Sequence, residues 1–480
     1  MTLASSTEKR ALVPASLVFP FILVTFLFAL WGFANDITNP MVAAFKNILL
    51  ISNFESSLVQ AAFYGGYCLM AIPAAIFIKR FSYQAGIITG LALYAVGCLL
   101  FIPSGWMMAF WAFLLSYFIM TFGLSFLETS SNPYILSMGD EETATRRLNL
   151  AQAFNPMGSI TGMLIAKNLI LAKLDPMTEP ARRALQSSDP AAFSAIAKHD
   201  LDVIIGPYAV LGVVVLLTML IFIFSKLPNK KEESTGLNIG ATVKRLVHNF
   251  RYLFSVIAQT FYVGVQIMIW TFIIQYAEQT LGMAKADAQF YNIIAMFIFV
   301  SSRFICTFLL KFVNPGFLLA VLSTVGGVLV LCVIFGGGNP EAGVVLTREL
   351  AHVSTFSAKL GVYLRSITAI PGMSGLVALV GVSACMSLMF PTIYGIALKG
   401  LGDDAKLGAA GLIMAIGGGC LMPPLQGLIM DHSAFQIFGR ELASVRASFV
   451  LPLLCFAVIT IYGFTIALGR GSRVRPETRE

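Results

Sequence analysis

The amino-acid sequence predicts an all-α, polytopic membrane protein whose twelve transmembrane helices form two six-helix halves. The composition is the first indication, because 57% of the 480 residues are hydrophobic and only 12% are charged. Soluble domains carry about twice that charged fraction. The mean hydropathy of +0.82 and the high glycine content are typical of closely packed transmembrane helices. This composition argues against a soluble enzyme, a nucleic-acid-binding protein and a secreted disulfide-bonded protein.

Twelve apolar stretches are long enough to cross a membrane, since about 20 residues span roughly 30 Å of hydrocarbon. Spans 1 to 12 are predicted at 17–46, 54–78, 85–104, 106–138, 146–173, 207–227, 252–281, 287–310, 316–335, 372–399, 406–430 and 447–469. The longest connection that shares a side with the termini, 228–251, is rich in Lys, Glu, Ser, Thr and Gly. We interpret it as a linker between a first half, 17–227, and a second half, 252–469, with tails at 1–16 and 470–480.

The distribution of lysine and arginine predicts the orientation of the spans. Most of these residues lie in segments that share a side with the two termini, and many of the remainder lie in the long loops 174–206 and 336–371. Basic residues of short loops stay in the cytoplasm. Both termini are therefore expected to be cytoplasmic. The stretch from Arg348 to Arg365 in the second long loop is interpreted either as an amphipathic helix or as a loose connector.

Metal and cofactor chemistry is not expected. The seven cysteines are scattered through apolar runs and are interpreted as packing residues. The four histidines are all predicted to lie in loops, at His199, His248, His352 and His432. No C-x-x-C pair or other metal-ligand spacing occurs.

Three ionisable residues interrupt the predicted spans: Asp36 in span 1, Glu128 in span 4 and Arg303 in span 8. Each costs about 2.5–3.5 kcal/mol on insertion scales, so each requires a reason. Counted along their helices, Asp36 is expected in the outer half of the membrane and Glu128 in the inner half. Two carboxyl groups at different depths suit a proton relay, and the alternative is burial against neighbouring helices. Arg303 is expected to pair with a carboxylate or backbone carbonyls as a structural residue.

The dipeptide Asn-Pro occurs inside three spans, at 39–40, 132–133 and 155–156. Because proline has no amide hydrogen, it frees the carbonyl four residues earlier. The freed carbonyls belong to Asp36, Thr129 and Gln152. Interrupted helices at membrane depth are tolerated where they line a cavity, so these positions predict one.

Amides and indoles accompany these residues. Trp31, Asn35, Asp36 and Asn39 share much of one face of span 1, and Gln266 and Trp270 share a face of span 7. Span 5 adds Gln152 and Asn155. An indole can stack on a pyranose ring while carboxyls and amides bond its hydroxyls, so we predict a sugar site. Hydrogen bonds between helices are the alternative role for the amides.

Several strings taken jointly resemble the fucose:proton symporter branch of the major facilitator superfamily, over nearly the whole chain. They lie at 30–35, 60–67, 81–90, 127–133, 147–155 and 391–393. The resemblance implies the major facilitator fold and a coupling role for Glu128, which matches the family's glutamate. The family's span 1 aspartate corresponds to Asn39, and its neighbouring asparagine one turn earlier corresponds to Asp36. Phe390 replaces a tyrosine of the family.

We therefore predict a hexose:proton symporter that imports sugar by alternating access. Glu128 and Asp36 are the predicted coupling residues. The predicted substrate ligands are Trp31, Asn35, Asp36, Asn39, Glu128, Gln152, Asn155, Gln266 and Trp270. The candidate sugars are L-fucose, glucose or galactose, fructose and N-acetylglucosamine, and the expected setting is a lipid-embedded monomer of a bacterial inner membrane. Sodium coupling, export of apolar compounds, a membrane enzyme and a non-transporting sugar sensor are the alternatives.

Overall fold

The computed structural model describes residues 13–139, 147, 150–225, 239–310, 312–353, 355–370, 372–399, 401, 404–437 and 440–468. Helices make up nearly all of this part of the chain. Eleven helical segments are long and apolar enough to cross a membrane. The predicted all-α membrane fold is confirmed, with one two-stranded exception described below.

Spans 1 to 6 contain several interrupted helices. Their bounds are Val18–Thr38 and Met41–Leu49 for span 1, Asn53–Arg80 for span 2, Tyr83–Leu99 and Phe101–Met107 for span 3, Phe110–Ser137 for span 4, Phe154–Ile165 with the π-helix Ala166–Leu171 for span 5, and Pro190–Phe224 for span 6. Span 5 is the one predicted span outside the eleven, because its described helix is short and part of its start lies outside the described residues.

Spans 7 to 12 likewise include both continuous and interrupted helices. Their bounds are Phe250–Leu281 for span 7, Lys285–Leu309 for span 8, Pro315–Phe335 for span 9, Ser374–Met386 and Met389–Leu398 for span 10, Ala405–Met414 and Gly418–Met430 for span 11, and Val450–Leu468 for span 12, preceded by the short helix Ser444–Ala447. A 3-10 turn, Ala415–Gly417, joins the two parts of span 11.

The connection 174–206, predicted to be a loop, is largely helical. A short helix covers Glu179–Ser188, and span 6 begins at Pro190 instead of 207. Pro190 occupies the first turn and Asp189 caps it by accepting from the backbone amide of Ala192, 3.0 Å away. The prediction that His199 lies in a loop is consequently wrong, because it lies within this helix.

A buried ion pair explains why a polar segment folds here. The Arg182 guanidinium donates to the Asp200 carboxylate, and both side chains are almost completely buried. The same carboxylate accepts from the backbone amide of Asp175 at 2.9 Å. A buried charge is stable only when it is paired in this way. The charged residues that lowered the apparent hydropathy thus stabilise the extension of span 6.

The long loop 336–371 contains two helices, Ala342–Ala351 and Phe356–Ala369. The predicted amphipathic helix from Arg348 to Arg365 is therefore wrong in its bounds. The first helix ends before His352, and Thr355 caps the second helix. The two-stranded exception to the helical pattern is a hairpin, in which β1, Phe435–Ile437, pairs antiparallel with β2, Arg440–Leu442.

The predicted linker, 228–251, is partly helical. Residues 226–238 lie outside the described residues, and a helix, Ile239–His248, occupies most of the rest. His248 therefore ends a helix rather than lying in a loop. Arg245 of this helix pairs with Asp404 before span 11, at 2.6 Å between Nη2 and Oδ1. The tails 1–12 and 469–480 also lie outside the described residues.

The cysteines are all free thiols in the described part of the chain. Burial of Cys98, Cys306, Cys385 and Cys455 agrees with their predicted packing role. Cys332 is exposed, so this prediction is wrong at that position.

The helices alternate between two ends of the bundle. We call the end at which span 1 begins and span 12 ends the terminal face, and the opposite end the distal face. Spans 1 and 5 approach each other with backbone contact, because a Cβ atom on Gly158 would lie 1.9 Å from the Ala29 carbonyl oxygen. The two halves pack along spans 2 and 11 and along spans 5 and 8.

Candidate functional site

A cavity of about 320 Å³ lies between the two halves. Spans 1, 2, 4 and 5 line it from one side and spans 7, 8, 10 and 11 from the other. All nine predicted substrate ligands line it: Trp31, Asn35, Asp36, Asn39, Glu128, Gln152, Asn155, Gln266 and Trp270. The volume lies at the lower end of the range for small-molecule sites. The structure thus brings together residues that are up to 239 positions apart, 31 to 270, in one pocket.

Span 1 is interrupted at this cavity. Its first helix ends at Thr38, and the chain resumes as a second helix at Met41, so the interruption coincides with Asn39 and Pro40. The Asn39 amide donates to the Asp36 carboxylate at 3.1 Å. Asp36 is buried, with 4% of its surface exposed. The predicted interruption of span 1 is therefore present and holds a carboxylate against an amide.

The distal end of the cavity is closed by a chain of hydrogen bonds between the halves. The Gln60 amide nitrogen of span 2 donates to Asn39 Oδ1 at 3.1 Å and to Thr271 Oγ1 of span 7 at 3.0 Å. All three side chains are buried. Asn39 is consequently linked to both halves.

Glu128 lies in an uninterrupted helix. The Asn-Pro pair at 132–133 does not break span 4, which continues to Ser137, so the predicted interruption there is wrong. The Asn132 side chain donates instead to the Glu128 carbonyl at 3.0 Å. No residue in the described part of the chain donates a hydrogen bond to the Glu128 carboxylate, which faces the cavity.

Span 5 contributes amides from both sides of a break. Helical residues at 150–152 are followed by a turn at Ala153, and the next helix begins at Phe154, so Asn155 and Pro156 lie in the first turn after a break in span 5. The interruption predicted at this Asn-Pro pair is therefore present. Gln152 is helical and lies directly before the turn at Ala153, and its side chain donates to Asn132 Oδ1 at 3.2 Å. Asn155 donates to the Phe28 carbonyl at 3.4 Å, which fixes it beside span 1.

Two indoles from opposite halves line the cavity. Trp31 packs on Phe28, with ring centroids 4.3 Å apart. Trp270 is oriented by its Nε1, which donates to Ser383 Oγ at 3.1 Å, and by an edge-to-face contact with Phe299 at 5.1 Å. Such fixed aromatic faces provide apolar walls that keep one orientation.

Two of the predicted ligands keep capacity for a bound molecule. The side-chain oxygen of Asn35, Oδ1, is buried and has no hydrogen-bond partner in the described part of the chain. A buried polar atom without a partner is costly, so a ligand that bonds it is favoured. Gln266 is half-buried at the cavity wall.

Arg303 was predicted to be structural, yet it also lines the cavity. Its Nε donates to the Ser387 carbonyl at 3.3 Å, which confirms the expected carbonyl partner. Its guanidinium lies 4.9 Å from the centre of the Phe299 ring. The side chains of Arg303 and Gln152 are both exposed, and each residue lies near the end of its span that faces the terminal face. The cavity therefore extends from the closed distal end toward the terminal face.

Sequence reasoning missed the tyrosines of span 2. Tyr64 and Tyr67 line the cavity, and Ser159 joins them from span 5. The spacing of Gln60, Tyr64 and Tyr67 at three and four positions places them on one helix face. That polar face could have indicated that span 2 lines the cavity, although tyrosine in an apolar run is equally typical of packing between helices.

The arrangement combines carboxylates, amides and indoles in a pocket between two helical halves. Among the described residues, no group of three or more His, Cys, Asp or Glu could hold a metal ion. The site suits a neutral molecule with many hydroxyl groups and an apolar ring face. A central site between two helical halves places the protein in the class of membrane proteins whose binding site lies between two helical repeats.

Comparison with known proteins agrees with this class. The family model described as Major Facilitator Superfamily matches residues 24–397. A protein of Haemophilus influenzae called L-fucose-proton symporter is 50% identical over 96% of this chain and 98% of its own length. The Escherichia coli L-fucose-proton symporter is 33% identical over 95% of both chains.

A solved structure supports the same relationship. The Escherichia coli fucose:proton symporter in an outward conformation covers 94% of this chain and 99% of its own, at 32% identity and a TM-score of 0.64. The chain belongs to the Major Facilitator Superfamily and, within it, to the branch that contains the L-fucose:proton symporters. The predicted family is confirmed, as is the prediction of a transporter rather than an enzyme.

Proposed function

We propose that this protein is a hexose:proton symporter and that L-fucose is its first candidate substrate. The observation that carries the proposal is the single cavity in which Asp36 and Glu128 meet the amides and the two indoles. The names of the relatives support sugar and proton as co-substrates. Glucose and galactose rank next, because a Brucella abortus glucose/galactose transporter is 26% identical over 92% of both chains.

Glu128 is the proposed main coupling residue. Its carboxylate faces the cavity and accepts no hydrogen bond from the described residues, so a proton can occupy it without displacing a protein partner. Asp36 differs, because the Asn39 amide bonds it at 3.1 Å. We assign Asp36 the role of a direct sugar acceptor or of a second proton carrier, with the seven amide and indole residues shaping the site around it.

The distal closure supports alternating access. Asp431, at the end of span 11, accepts from the backbone amide of Asn53 at 2.7 Å, from its side chain at 2.8 Å and from the backbone amide of Phe54 at 2.7 Å. Lys167 of span 5 lies 5.4 Å from the ring centre of Phe290 in span 8. These contacts join the halves at the distal face, and opening that face requires breaking them.

The orientation completes the proposal. With both termini in the cytoplasm, as the basic residues favour, the cavity of this state opens toward the cytoplasm and the distal face is outside. We also propose that the protein resides in a bacterial inner membrane and acts as a monomer. Sugar and proton would enter with the distal face open and leave in the state described here.

The test measures external pH in lightly buffered suspensions of de-energised cells that express the protein. L-fucose, glucose, galactose, fructose and N-acetylglucosamine are added in turn, without and then with sodium. Alkalinisation on addition of one sugar, abolished by a protonophore, is the expected result. Sugar uptake that requires sodium and leaves the pH unchanged would instead favour sodium coupling, as in the human sodium-dependent glucose transporter 1, which is 25% identical over 66% of this chain. Sugar binding without flux would favour a sensor.

A further inference from the structure

An apolar groove separate from the central cavity lies on the membrane-facing surface between spans 1, 5 and 6. Its volume is about 730 Å³. Apolar side chains form its walls, among them Phe26, Phe154, Met157, Leu169, Val210 and Val214. Several of them are exposed, so protein packing does not fill the groove.

Two opposite charges stand at one end of this groove. Lys173 lies two residues after the end of span 5 and Asp202 lies on span 6, and both line the groove. Both side chains are exposed, and neither forms a salt bridge with another described residue. A lysine and an aspartate held at the rim of an apolar surface form a complement to a zwitterion.

The depth of these charges matches a lipid headgroup. Span 6 is one helix of 35 residues, longer than the hydrocarbon requires. Asp202 lies about 33 Å along this helix from its terminal end at Phe224, which is just beyond ~30 Å of hydrocarbon. From Asp202 to Val214 the groove runs about 18 Å, close to the thickness of one leaflet.

From this geometry we propose that the groove binds one phospholipid with a phosphoethanolamine headgroup in the distal leaflet. Lys173 contacts the phosphate, and Asp202 accepts a charge-assisted hydrogen bond from the primary ammonium. One acyl chain lies along the groove against spans 1, 5 and 6. The groove shares span 5 with the central cavity, since Met157 faces the lipid while Asn155 and Ser159 face the cavity.

Gly206 offers a substitution that fills the groove and whose Cβ atom meets no steric clash. It lines the groove, and a Cβ atom built on it meets no other atom within 4 Å. Gly206→Trp therefore places an indole where the acyl chain would lie. Gly206→Ala is the matched control, because it also replaces the helix-weakening glycine and leaves the groove open.

The test counts lipids that remain on the purified full-length protein, by native mass spectrometry after exchange into detergent with an equimolar mixture of three dioleoyl lipids. Their headgroups are phosphoethanolamine, phosphocholine and phosphoglycerol. The wild type and Gly206→Ala are expected to retain one phosphoethanolamine lipid in preference to the other two, and Gly206→Trp to lose it. Lys173→Gln should weaken retention about fivefold, whereas Lys198→Gln, on the same extension of span 6, should leave it unchanged.

Asp202→Asn distinguishes the roles of the two charges. Loss of the carboxylate should remove the preference for phosphoethanolamine over phosphocholine, whose quaternary ammonium cannot donate a hydrogen bond. Equal retention by Gly206→Trp and Gly206→Ala, or preference of the wild type for phosphocholine or phosphoglycerol, would overturn the proposal. Sugar transport by the wild type is independent of these outcomes.

Discussion

The two halves of the chain present different chemistry to the central cavity. The first half contributes both carboxylates, Asp36 and Glu128, together with the amides of spans 1 and 5. The second half contributes mainly apolar and aromatic side chains, with Gln266 and Arg303 as its polar members. The difference teaches that, under the proposed function, the first half carries the coupling chemistry while the second half supplies a wall against which the sugar ring lies.

The largest effect is expected from removing the Asp36 carboxylate of the first half. Asp36→Asn removes a charged acceptor from a buried site, and a hydrogen bond to a charged group contributes about 1.5–3 kcal/mol. We expect the KM for the transported sugar to rise about ten- to a hundredfold in proteoliposome uptake assays.

The double variant Asp36→Asn with Asn39→Asp sharpens this test. It keeps one carboxylate and one amide one turn apart and reproduces the arrangement that the sequence resemblance implies for the family, so most of the uptake should return. If the double variant is as defective as Asp36→Asn alone, the account of a carboxylate displaced along span 1 is wrong.

The indoles test the proposed aromatic walls from both sides. Trp31→Ala and Trp270→Ala each remove a stacking face, and an aromatic contact is worth about 0.5–1.5 kcal/mol. A KM about two- to tenfold higher is expected for each, and Trp270→Phe should recover most of the loss. Unchanged KM values in both alanine variants would contradict the proposed stacking, because the sugar would then be bound by polar groups alone.

A smaller effect is expected at the distal face, where the halves meet. Asp431→Asn weakens three hydrogen bonds that the carboxylate accepts from Asn53 and Phe54. The distal-open state should gain population, by a few fold on the scale of about 1 kcal/mol for one neutral hydrogen bond.

The measurement is labelling of a cysteine at Asn47 by a membrane-impermeant maleimide, because Asn47 is buried in a second pocket, separate from the central cavity, at the distal face. The parent protein provides the background from its native thiols. Labelling should be faster with Asp431→Asn than with Glu341→Gln, an exposed acidic residue on the same face. Equal rates would show that the Asp431 contacts do not hold that face closed.

The smallest effect concerns the linker helix, Ile239–His248. A hydrogen bond from Arg245 holds the pKa of Asp404 below its ordinary value of 3.8. A carboxyl group with a lowered pKa stabilises the folded contact above its ordinary pKa, and that contribution disappears as the pH falls through the lowered value. The helix should therefore stay docked at neutral pH and loosen only in acid below about pH 4.

A fluorophore on a cysteine at Val243, which is 44% exposed, reports this contact by its anisotropy. Asp404→Asn should give the loosened signal at every pH. An acid transition that persists unchanged in Asp404→Asn would assign the loosening to another group.

Much of this architecture was predictable because lipid imposes simple rules on sequence. Hydropathy predicted the eleven segments that are long and apolar enough to cross a membrane, and helical periodicity alone placed Trp31, Asn35, Asp36 and Asn39 on one face of span 1. The extension of span 6 was not predictable in this way, because Asp200 lowers the hydropathy there and its partner, Arg182, lies in a separate helix.

Part of the site was hidden for a related reason. Asn-Pro at 39–40 interrupts its helix, while the same pair at 132–133 does not. The sequence motif is identical, and the difference depends on the neighbouring helices. Arg303 was identified as a residue that needs a partner, but its position at the cavity follows from how spans 8 and 10 pack.

The most direct test of the central claim compares accumulation with counterflow in proteoliposomes that contain wild-type protein or Glu128→Gln. Accumulation of L-fucose under an imposed proton gradient requires coupling, whereas counterflow requires only sugar binding and alternating access. We predict that Glu128→Gln retains counterflow and loses gradient-driven accumulation. Accumulation that persists in Glu128→Gln at the wild-type level would contradict the account, because the proton would then be carried elsewhere.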